Sequence, residues 1–331
     1  MIQVSSPTRV DLAGGTLDLW PLYLFLKRPA QTVNVAIDIM THARITPKSD
    51  SEIELVSVDL KLEKKYPNLQ AALSDNDERL SLLQTQLAYF QPERGFRLET
   101  SSESPVGGGL GGSSSLTISL MKAFSQFTGK KFSSVHQMVN VAHNIEAQVL
   151  NTPTGTQDYY PAASGGLNFL NYNIDGIHQE TIEVETSPLA QHFLLVNTGR
   201  SHHSGMNNFE VMKAAVNKDQ GTIKALSDLS VISDEMAKVC KTQQWDRLPD
   251  LFNQEFEARV RLAPAFSSPE IINLQRITRE SGADAVKICG AGGGGCVLVW
   301  VKENKRSTVV EQCQKNGFQV LNAKPKNPLP A

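Results

Sequence analysis

The residues best suited to chemistry form a glycine-rich segment over residues 104–115, which reads Ser-Pro-Val-Gly-Gly-Gly-Leu-Gly-Gly-Ser-Ser-Ser. Five of the six residues 107–112 are glycine, and the missing side chains allow the backbone to wrap around an anion and to adopt positive φ values. The serines stand where a helix would begin, so its free N–H groups and positive dipole end would face the same anion. The segment is therefore predicted to bind phosphate groups.

This segment differs from two common nucleotide-binding fingerprints. A P-loop has a lysine after its last glycine, whereas Ser113 follows Gly112 here. The pattern G-x-G-x-x-G matches residues 107–112, but the early strand and the ribose-binding acid of a dinucleotide unit are not evident. A flexible linker is the plain alternative. Apolar residues at helical spacing from Leu116 to Phe127 favour a packed helix directly after the glycines and argue against a linker.

Two acids that follow this helix are candidate catalytic groups. Glu146 lies near the end of a helix predicted over residues 133–150, and Asp158 lies in the turn that comes after it. A carboxylate within hydrogen-bond reach of an alcohol can accept its proton as a bond to phosphorus forms. An adjacent arginine would keep that carboxylate ionised, and Arg9 is the candidate partner. A solvated Glu146 and an Asp158 that only caps its turn are the structural alternatives.

Composition narrows the class of partner. The chain has 331 residues, a formal net charge of −2 and 40% hydrophobic residues, which suits two cores and gives no basic surface for nucleic acid or a membrane. No apolar run approaches ~20 residues, and the four cysteines have no C-x-x-C spacing. We therefore expect a cytoplasmic protein with reduced thiols and a small-molecule substrate; monomer and homodimer both remain open.

Three segments together resemble the motifs of the GHMP kinases, the superfamily of galactokinase, homoserine kinase, mevalonate kinase and phosphomevalonate kinase. Residues 6–18, 105–115 and 285–300 look like the first, second and third motifs, in the family's order. The resemblance implies a two-domain α+β fold. Its N-terminal ATP-binding domain, like ribosomal protein S5, would cover residues 1–187, and a ferredoxin-like α+β domain with extra helices would cover residues 188–331.

The resemblance also implies roles for individual residues. ATP would lie over Pro105, Gly107, Gly108, Gly109, Leu110, Gly111, Gly112, Ser113 and Ser114, with Gly292 and Gly293 closing on it from the third motif. Mg²⁺ would be held by Ser113 and Glu146. Asp158 would be the catalytic base and Arg9 its partner beside the transferred phosphate. The acceptor would be bound by Asp18, Asn34, Thr198, Arg200, His202 and His203.

The first motif bears on the acceptor. Gly15, Thr16 and Leu17 replace the Glu-His-Thr that marks galactokinase, which argues against galactose. The Leu-Ala-Gly-Gly run resembles the branch with D-glycero-D-manno-heptose 7-phosphate kinase and the fucokinases, so we predict a sugar or sugar phosphate. Mevalonate or another non-sugar polyol such as an inositol is the alternative. A decarboxylase and a non-catalytic ligand sensor share the fold and also remain open.

Overall fold

The computed structural model describes residues 1–200, 204–263, 266–290 and 292–330, with the side chains of 204–207 left out. Two separate sheets organise this part of the chain. The first contains strands β1 (Ile2–Ala13), β2 (Ala30–Pro47), β3 (Ile53–Ser57), β4 (Leu62–Tyr66), β5 (Phe96–Ser102), β6 (Leu167–Asn173) and β7 (Gly176–Ile182). The second contains β8 (Phe193–Asn197), β9 (Ala285–Ile288), β10 (Cys296–Trp300) and β11 (Gln319–Leu321).

The long strand β2 is the centre of the first sheet. Its order is β4-β3-β5-β2-β6-β7, and β1 pairs with β2 outside this path. The second half of β2 pairs with β5 and its first half with β6, while β1 runs antiparallel along it. The register of β1 shifts between Pro7 and Thr8 and again between Asp11 and Ala13. Such bulges redirect side chains, and these two flank Arg9.

Helices α1 (Leu69–Leu73), α2 (Ser81–Phe90), α3 (Gly112–Thr128), α4 (Val135–Leu150) and α5 (Tyr159–Ser164) accompany the first sheet. Helix α3 packs on β1 and β2 through the apolar residues that predicted it, among them Ile118, Leu120 and Phe124, all fully buried. Helix α4 starts after Ser134, whose hydroxyl accepts a hydrogen bond from the backbone N–H of Gln137. Both helices are confirmed, and together they carry the glycine segment and Glu146 to one place.

The second sheet has the order β11-β8-β10-β9, and all its pairs are antiparallel. Its helices are α6 (Pro188–His192), α7 (Ser204–Val216), α8 (Gln220–Lys241), α9 (Leu248–Leu262), α10 (Pro269–Glu280) and α11 (Glu303–Lys315). Helix α9 packs against β9 and α8, and α8 also reaches β2 of the first sheet. This two-layer mixture of helices and sheets confirms the predicted two-domain α+β fold.

The C-terminal tail returns to the first sheet. The backbone N–H of Lys326 donates to the Ala36 carbonyl at 2.8 Å, and Leu329 N–H donates to the Ser164 carbonyl at 2.7 Å. The strands of the two sheets separate between Ile182 and Phe193. The boundary near residue 187 therefore stays a proposal, to which the structure adds the tail's contact with the first domain.

Two further expectations concern thiols and membranes. The four cysteines are free and buried, and burial raises the pKa of the Cys289 thiol to about 12. This agrees with packed, reduced thiols. Within the described residues, none of the helices has the combination of length and apolarity that a bilayer crossing requires.

Candidate active site

The glycine segment forms the wall of a cleft of about 440 Å³. It runs between β5 and α3, with φ values of +65° at Gly107 and +70° at both Gly109 and Gly111. These are left-handed conformations that favour glycine. The first turn of α3 starts at Gly112 and faces the same cleft, so its free N–H groups are available to an anion there. The predicted cofactor-binding residues from Pro105 to Ser114 all line this cleft.

Arg9 and Asp158 meet at the edge of the glycine segment although 149 positions separate them. Arg9 Nε donates to Asp158 Oδ1 at 2.7 Å, and Arg9 Nη2 donates to Asp158 Oδ2 at 2.8 Å. Burial lowers the pKa of Arg9, but the charge and hydrogen bonds of Asp158 outweigh it and the pKa is raised. The two-point pairing gives the carboxylate one orientation.

The same arginine joins Asp158 to both glycine-rich segments. Arg9 Nη1 donates to the Gly109 carbonyl at 2.6 Å and to the Cys289 carbonyl at 3.0 Å. A Cβ atom added to Gly111 would lie 3.0 Å from Asp158 Oδ2. Because Gly111 has no side chain, the Asp158 carboxylate can approach the glycine segment closely. The same absence allows the positive φ value at Gly111.

Glu146 is buried beside the first turn of α3. Ser114 Oγ donates to Glu146 Oε2 at 2.8 Å, and Tyr159 Oη donates to the same oxygen at 2.5 Å. Burial raises the pKa of Glu146, and the hydrogen bonds from Tyr159, Ser113 and Ser114 oppose that rise. Ser114 and Ser113 both line the cleft; the buried Ser114 uses its hydroxyl for Glu146, whereas Ser113 is exposed, and a contact of Ser114 with ATP stays a prediction. Tyr159 was not predicted at all.

These groups fit a magnesium ion by donor type. Glu146 offers a carboxylate and Ser113 a hydroxyl, and hard divalent cations prefer oxygen ligands. Magnesium at phosphate-transfer sites usually takes one or two carboxylates plus substrate phosphates and water. Within the described ranges, no cluster of three or more His, Cys, Asp or Glu side chains is arranged to hold a metal. A single carboxylate beside a phosphate loop is consistent with that mode of binding.

Asp18 lies in the cleft and is only 3% exposed. Its Oδ2 accepts a hydrogen bond from the backbone N–H of Gln157 at 3.1 Å. Burial raises the pKa of Asp18 to about 6, although this hydrogen bond lowers it. A Cβ atom on Gly155 would fall 1.9 Å from Asp18 Oδ2, so only glycine fits beside the carboxylate.

Replacing Asp18 by Asn is expected to stabilise the protein at neutral pH. The folded state holds the proton more tightly than the unfolded chain, so the associated stability is complete below the ordinary pKa of 3.8 and is lost as pH rises through about 6. Each pKa unit corresponds to about 1.4 kcal/mol, which makes the gain about 3 kcal/mol at pH 7.

Urea unfolding of wild type and Asp18→Asn at several pH values measures this gain. The difference in unfolding free energy should shrink toward zero as the pH approaches 4. Asp175→Asn is the control, because that carboxylate is exposed and its hydrogen bond with His178 lowers its pKa. An Asp18→Asn gain that does not change with pH would contradict the raised pKa.

Among the described residues, five predicted acceptor or cofactor residues do not line the cleft: Asn34, Thr198, Arg200, Gly292 and Gly293. Asn34 is fully buried behind it and donates to the Gln157 carbonyl at 3.2 Å, so it positions the backbone that contacts Asp18. Thr198 Oγ1 donates to the Gly295 carbonyl at 2.9 Å. The exposed Arg200 pairs with Glu270, its Nη1 lying 3.1 Å from Oε2. His202 and His203 lie outside the described residues.

The glycines of the third motif, within residues 285–300, pack against the glycine segment of residues 104–115. Gly293 N–H donates to the Phe266 carbonyl at 3.3 Å, and a Cβ on Gly292 would lie 2.3 Å from that oxygen. Both glycines contact the Phe266 backbone and neither is among the described residues that line the cleft, so their role at the nucleotide stays a prediction. Gly290 lines the cleft in their place, where a Cβ would lie 2.7 Å from the Gly109 carbonyl oxygen.

Several residues that sequence reasoning missed also line the cleft. They are Thr16, Ser57, Asp59, Leu60, Leu150, Asn208, Arg259 and Gly290. They come from both domains and from elements far apart in the chain. Thr16 and Gly290 stand inside the first and third motifs, at residues 6–18 and 285–300, and could have been found from the sequence.

Comparisons with known proteins agree with this geometry. The family model described as "GHMP kinases N terminal domain" matches residues 79–166, and "GHMP kinases C terminal" matches residues 236–319. The D-glycero-alpha-D-manno-heptose 7-phosphate kinase of Campylobacter jejuni is 24% identical over 95% of this chain and 93% of its own. The mevalonate kinase of Methanocaldococcus jannaschii is also 24% identical, over 90% and 93%.

Solved structures share the fold. A D-glycero-D-manno-heptose 1-phosphate kinase from Bacteroides thetaiotaomicron superposes with a TM-score of 0.80 at 18% identity, covering 99% of this chain and 97% of its own. Lactococcus lactis galactokinase superposes with a TM-score of 0.81 at 15% identity, covering 99% and 94%. Because both family models match in their proper order around a shared cleft, the chain belongs to the GHMP kinases, phosphotransferases that act on hydroxyl groups.

Proposed function

We propose that this GHMP kinase transfers the γ-phosphoryl group of ATP to a hydroxyl of a sugar or sugar phosphate of the heptose 7-phosphate or fucose type. The observation that carries the proposal is the two-point pairing of Asp158 with Arg9 beside Gly111, at distances of 2.7 and 2.8 Å. This pairing holds a candidate base and a fixed positive charge next to a loop suited to phosphate.

The cleft suits a nucleotide along its length. Positive-φ glycines and the start of α3 supply N–H groups for the phosphates. Beyond them the lining includes Leu60, Val106 and Leu150, whose side chains are 46%, 83% and 49% exposed. Exposed apolar side chains around a cleft offer contact surface to a planar base. Ser113 and Glu146 would hold Mg²⁺, which when bound would neutralise phosphate charge during the transfer.

The transfer itself needs few covalent changes. The acceptor oxygen bonds to the γ-phosphorus as the bond from that phosphorus to the ADP oxygen breaks, and Asp158 accepts the hydroxyl proton. Arg9 stabilises negative charge on the phosphoryl oxygens through its fixed guanidinium. Asp18 and its neighbour Thr16 orient the acceptor's hydroxyl groups. Most of the rate enhancement would come from positioning and charge stabilisation.

The choice of a sugar has two supports. The heptose 7-phosphate kinase of Campylobacter jejuni is similar over 95% of this chain. A bifunctional fucokinase/GDP-fucose pyrophosphorylase of Arabidopsis thaliana is similar over 94% of this chain and 31% of its own length. The Leu-Ala-Gly-Gly run at residues 12–15 also resembles that branch. Mevalonate is the second candidate, because several mevalonate kinases match at 22–26% identity.

An acceptor panel assayed for ADP release tests the proposal. It should contain hexoses, heptoses and their phosphates, fucose, inositols and mevalonate, each with ATP and magnesium. We expect sugars or sugar phosphates to give the highest kcat/KM. A preference for mevalonate would show that the acceptor is not a sugar. Release of carbon dioxide would indicate the decarboxylase reaction. If no member of the panel led to ATP consumption, the result would favour a ligand sensor.

A further inference from the structure

A short turn joins the two candidate acids. Glu146 belongs to α4, and Asp158 is the last residue of the turn over residues 151–158 that leads from α4 to α5. Asp158 stands directly before α5, but its side chain makes no capping hydrogen bond to that helix and pairs with Arg9 instead. The position of one acid relative to the other therefore depends on how this turn and α5 are held against α4.

Tyr159, the first residue of α5, reaches back to α4. Its side chain is fully buried, and its hydroxyl donates to Glu146 Oε2 at 2.5 Å. Ser114 Oγ donates to the same oxygen at 2.8 Å, and neither hydroxyl donates to Oε1. Glu146 lines the cleft beside Ser113. Two donors on one oxygen restrain the carboxylate and leave its other oxygen to a ligand.

A second contact holds the same turn from α4. His143 Nε2 donates to the Thr154 carbonyl at 2.8 Å, and the His143 ring meets the Tyr159 ring edge-on, with centroids 6.2 Å apart. Residues three positions apart on a helix share one face, so His143 and Glu146 both face the turn. The Tyr159 ring is thus fixed by packing, and its hydroxyl has little freedom to leave Glu146.

This arrangement is typical of residues that hold a metal ligand in place. Carboxylates that bind metals are themselves hydrogen-bonded, and mutating the residue that supplies the hydrogen bond lowers metal affinity by about 10- to 100-fold. A free glutamate side chain loses rotamer freedom when it binds a cation. The hydrogen bond from Tyr159 removes part of that freedom in advance, which is the general advantage of a preorganised ligand.

We infer that Tyr159 is a positioning residue for the divalent cation: its hydroxyl occupies Glu146 Oε2 and orients the carboxylate so that Oε1 is left for the cation. Tyr159 does not line the cleft among the described residues, so it acts through Glu146. The inference rests on the proposed binding of Mg²⁺ by Ser113 and Glu146. The alternative is a tyrosine hydroxyl that needs a partner only because it is buried.

A matched pair of variants separates these two roles. Tyr159→Phe removes the hydroxyl and keeps the ring. Tyr160→Phe is the control, because Tyr160 is the next residue of the same helix, is 1% exposed and has its hydroxyl 2.8 Å from His136 Nδ1. Each substitution deletes one buried hydroxyl and its hydrogen bond, so a general loss of stability would affect both. The measurement is a magnesium titration of ADP release at saturating ATP.

We expect Tyr159→Phe to raise the magnesium concentration for half-maximal activity about 10- to 100-fold. At saturating magnesium its kcat should return to within about threefold of wild type, because Arg9 still holds Asp158. Tyr160→Phe should have the magnesium curve of wild type. Identical curves for the two variants would overturn the inference, and so would a loss of kcat in Tyr159→Phe that saturating magnesium does not restore.

A double-mutant cycle tests whether Tyr159 acts through Glu146. In the Glu146→Gln background, Tyr159→Phe should change the half-maximal magnesium concentration by less than about threefold, since the carboxylate that it orients is gone. An effect of Tyr159→Phe as large in this background as in wild type would show that the hydroxyl acts by another route and would overturn the inference.

A binding measurement keeps the test independent of turnover. Mn²⁺ takes the same kinds of oxygen ligand as Mg²⁺, and its binding can be followed by electron paramagnetic resonance. In the presence of a non-hydrolysable ATP analogue, Mn²⁺ should bind about 10- to 100-fold more weakly to Tyr159→Phe than to wild type or Tyr160→Phe. The analogue itself, titrated without metal, should bind all three alike.

The outcomes distinguish this inference from the proposed function. If Mn²⁺ binds equally to wild type and to both variants while the wild type phosphorylates an acceptor, the positioning role fails and the kinase function stands. If the wild type phosphorylates no acceptor of the panel but Mn²⁺ binding still depends on the Tyr159 hydroxyl, the proposed function fails and the positioning role stands.

Discussion

Asp158→Asn should lower kcat by a factor of roughly 10² to 10⁴, the range for removing a general base, while ATP binds with nearly unchanged affinity. The amide cannot accept the acceptor's proton, but its oxygen can still accept a hydrogen bond from Arg9. The phosphate loop is held by Arg9 through the Gly109 carbonyl as well, so the nucleotide site should keep its shape. Steady-state kinetics and a nucleotide-binding titration measure the two quantities separately.

Asp234→Asn is the matched control for this substitution. Asp234 pairs with Arg28 at 2.5 Å, but both side chains are about 40% exposed and neither lines the cleft among the described residues. We expect its kcat and ATP affinity to equal those of wild type. If Asp158→Asn retained kcat within about threefold, Asp158 would be a structural partner of Arg9 and the mechanism would need another base. If ATP affinity fell in parallel with kcat, the substitution would have distorted the glycine-rich segment, and the loss of kcat would not report on a base.

Glu146→Gln should raise the magnesium concentration needed for half-maximal activity by about 100-fold or more. Mutating a residue that only hydrogen-bonds to a metal ligand already lowers metal affinity by about 10- to 100-fold, and Glu146 is a candidate ligand itself. A neutral amide is a much weaker ligand for a hard divalent cation than a carboxylate is. Ser114 and Tyr159 can still donate to the amide oxygen, so the local hydrogen bonds are largely kept. The measurement is a magnesium titration of ADP release at saturating ATP.

Stability separates this loss from misfolding. Burial raises the pKa of Glu146, so at neutral pH the metal-free protein carries a buried acid that Gln replaces with a neutral group. The variant should therefore be no less stable than wild type in thermal unfolding without magnesium. Glu180→Gln, an exposed acid paired with Lys241, is the control and should leave the magnesium dependence unchanged. Identical magnesium curves for Glu146→Gln and wild type would remove Glu146 from the metal site.

Local patterns in the sequence were sufficient for the conformation of the glycine-rich segment and for helices α3 and α4, which follow it. Glycine at positions 107, 109 and 111 is required by backbone conformation, and helical spacing of apolar residues follows from burial of one face of α3. The order of the three motifs was sufficient to identify the family. Each match is weak by itself, but three matches in the family's order are far more specific than any one of them. These features depend on residues close together in the chain, where spacing determines geometry.

Side-chain direction within the motifs was not determined in this way. Ser113 and Ser114 are neighbours of the same type, yet only the fold decides that Ser114 donates to Glu146 while Ser113 faces the cleft. Asn34 has the alternation of a strand residue, but β2 is covered on both sides there, and its side chain is buried behind the cleft. A sequence pattern for a helix start or a strand places a residue within that element. It does not determine which neighbouring residue its side chain contacts.

The sequence by itself therefore determined the family and the conformation of the glycine-rich segment, and it singled out Glu146 and Asp158 as candidates, because each of these depends on residue type and short-range spacing. The tertiary structure alone decided the pairing of Arg9 with Asp158 and the contact of Lys287 with Asp11, whose members are 149 and 276 positions apart. Such contacts depend on how two sheets and their helices pack together, which no local periodicity records.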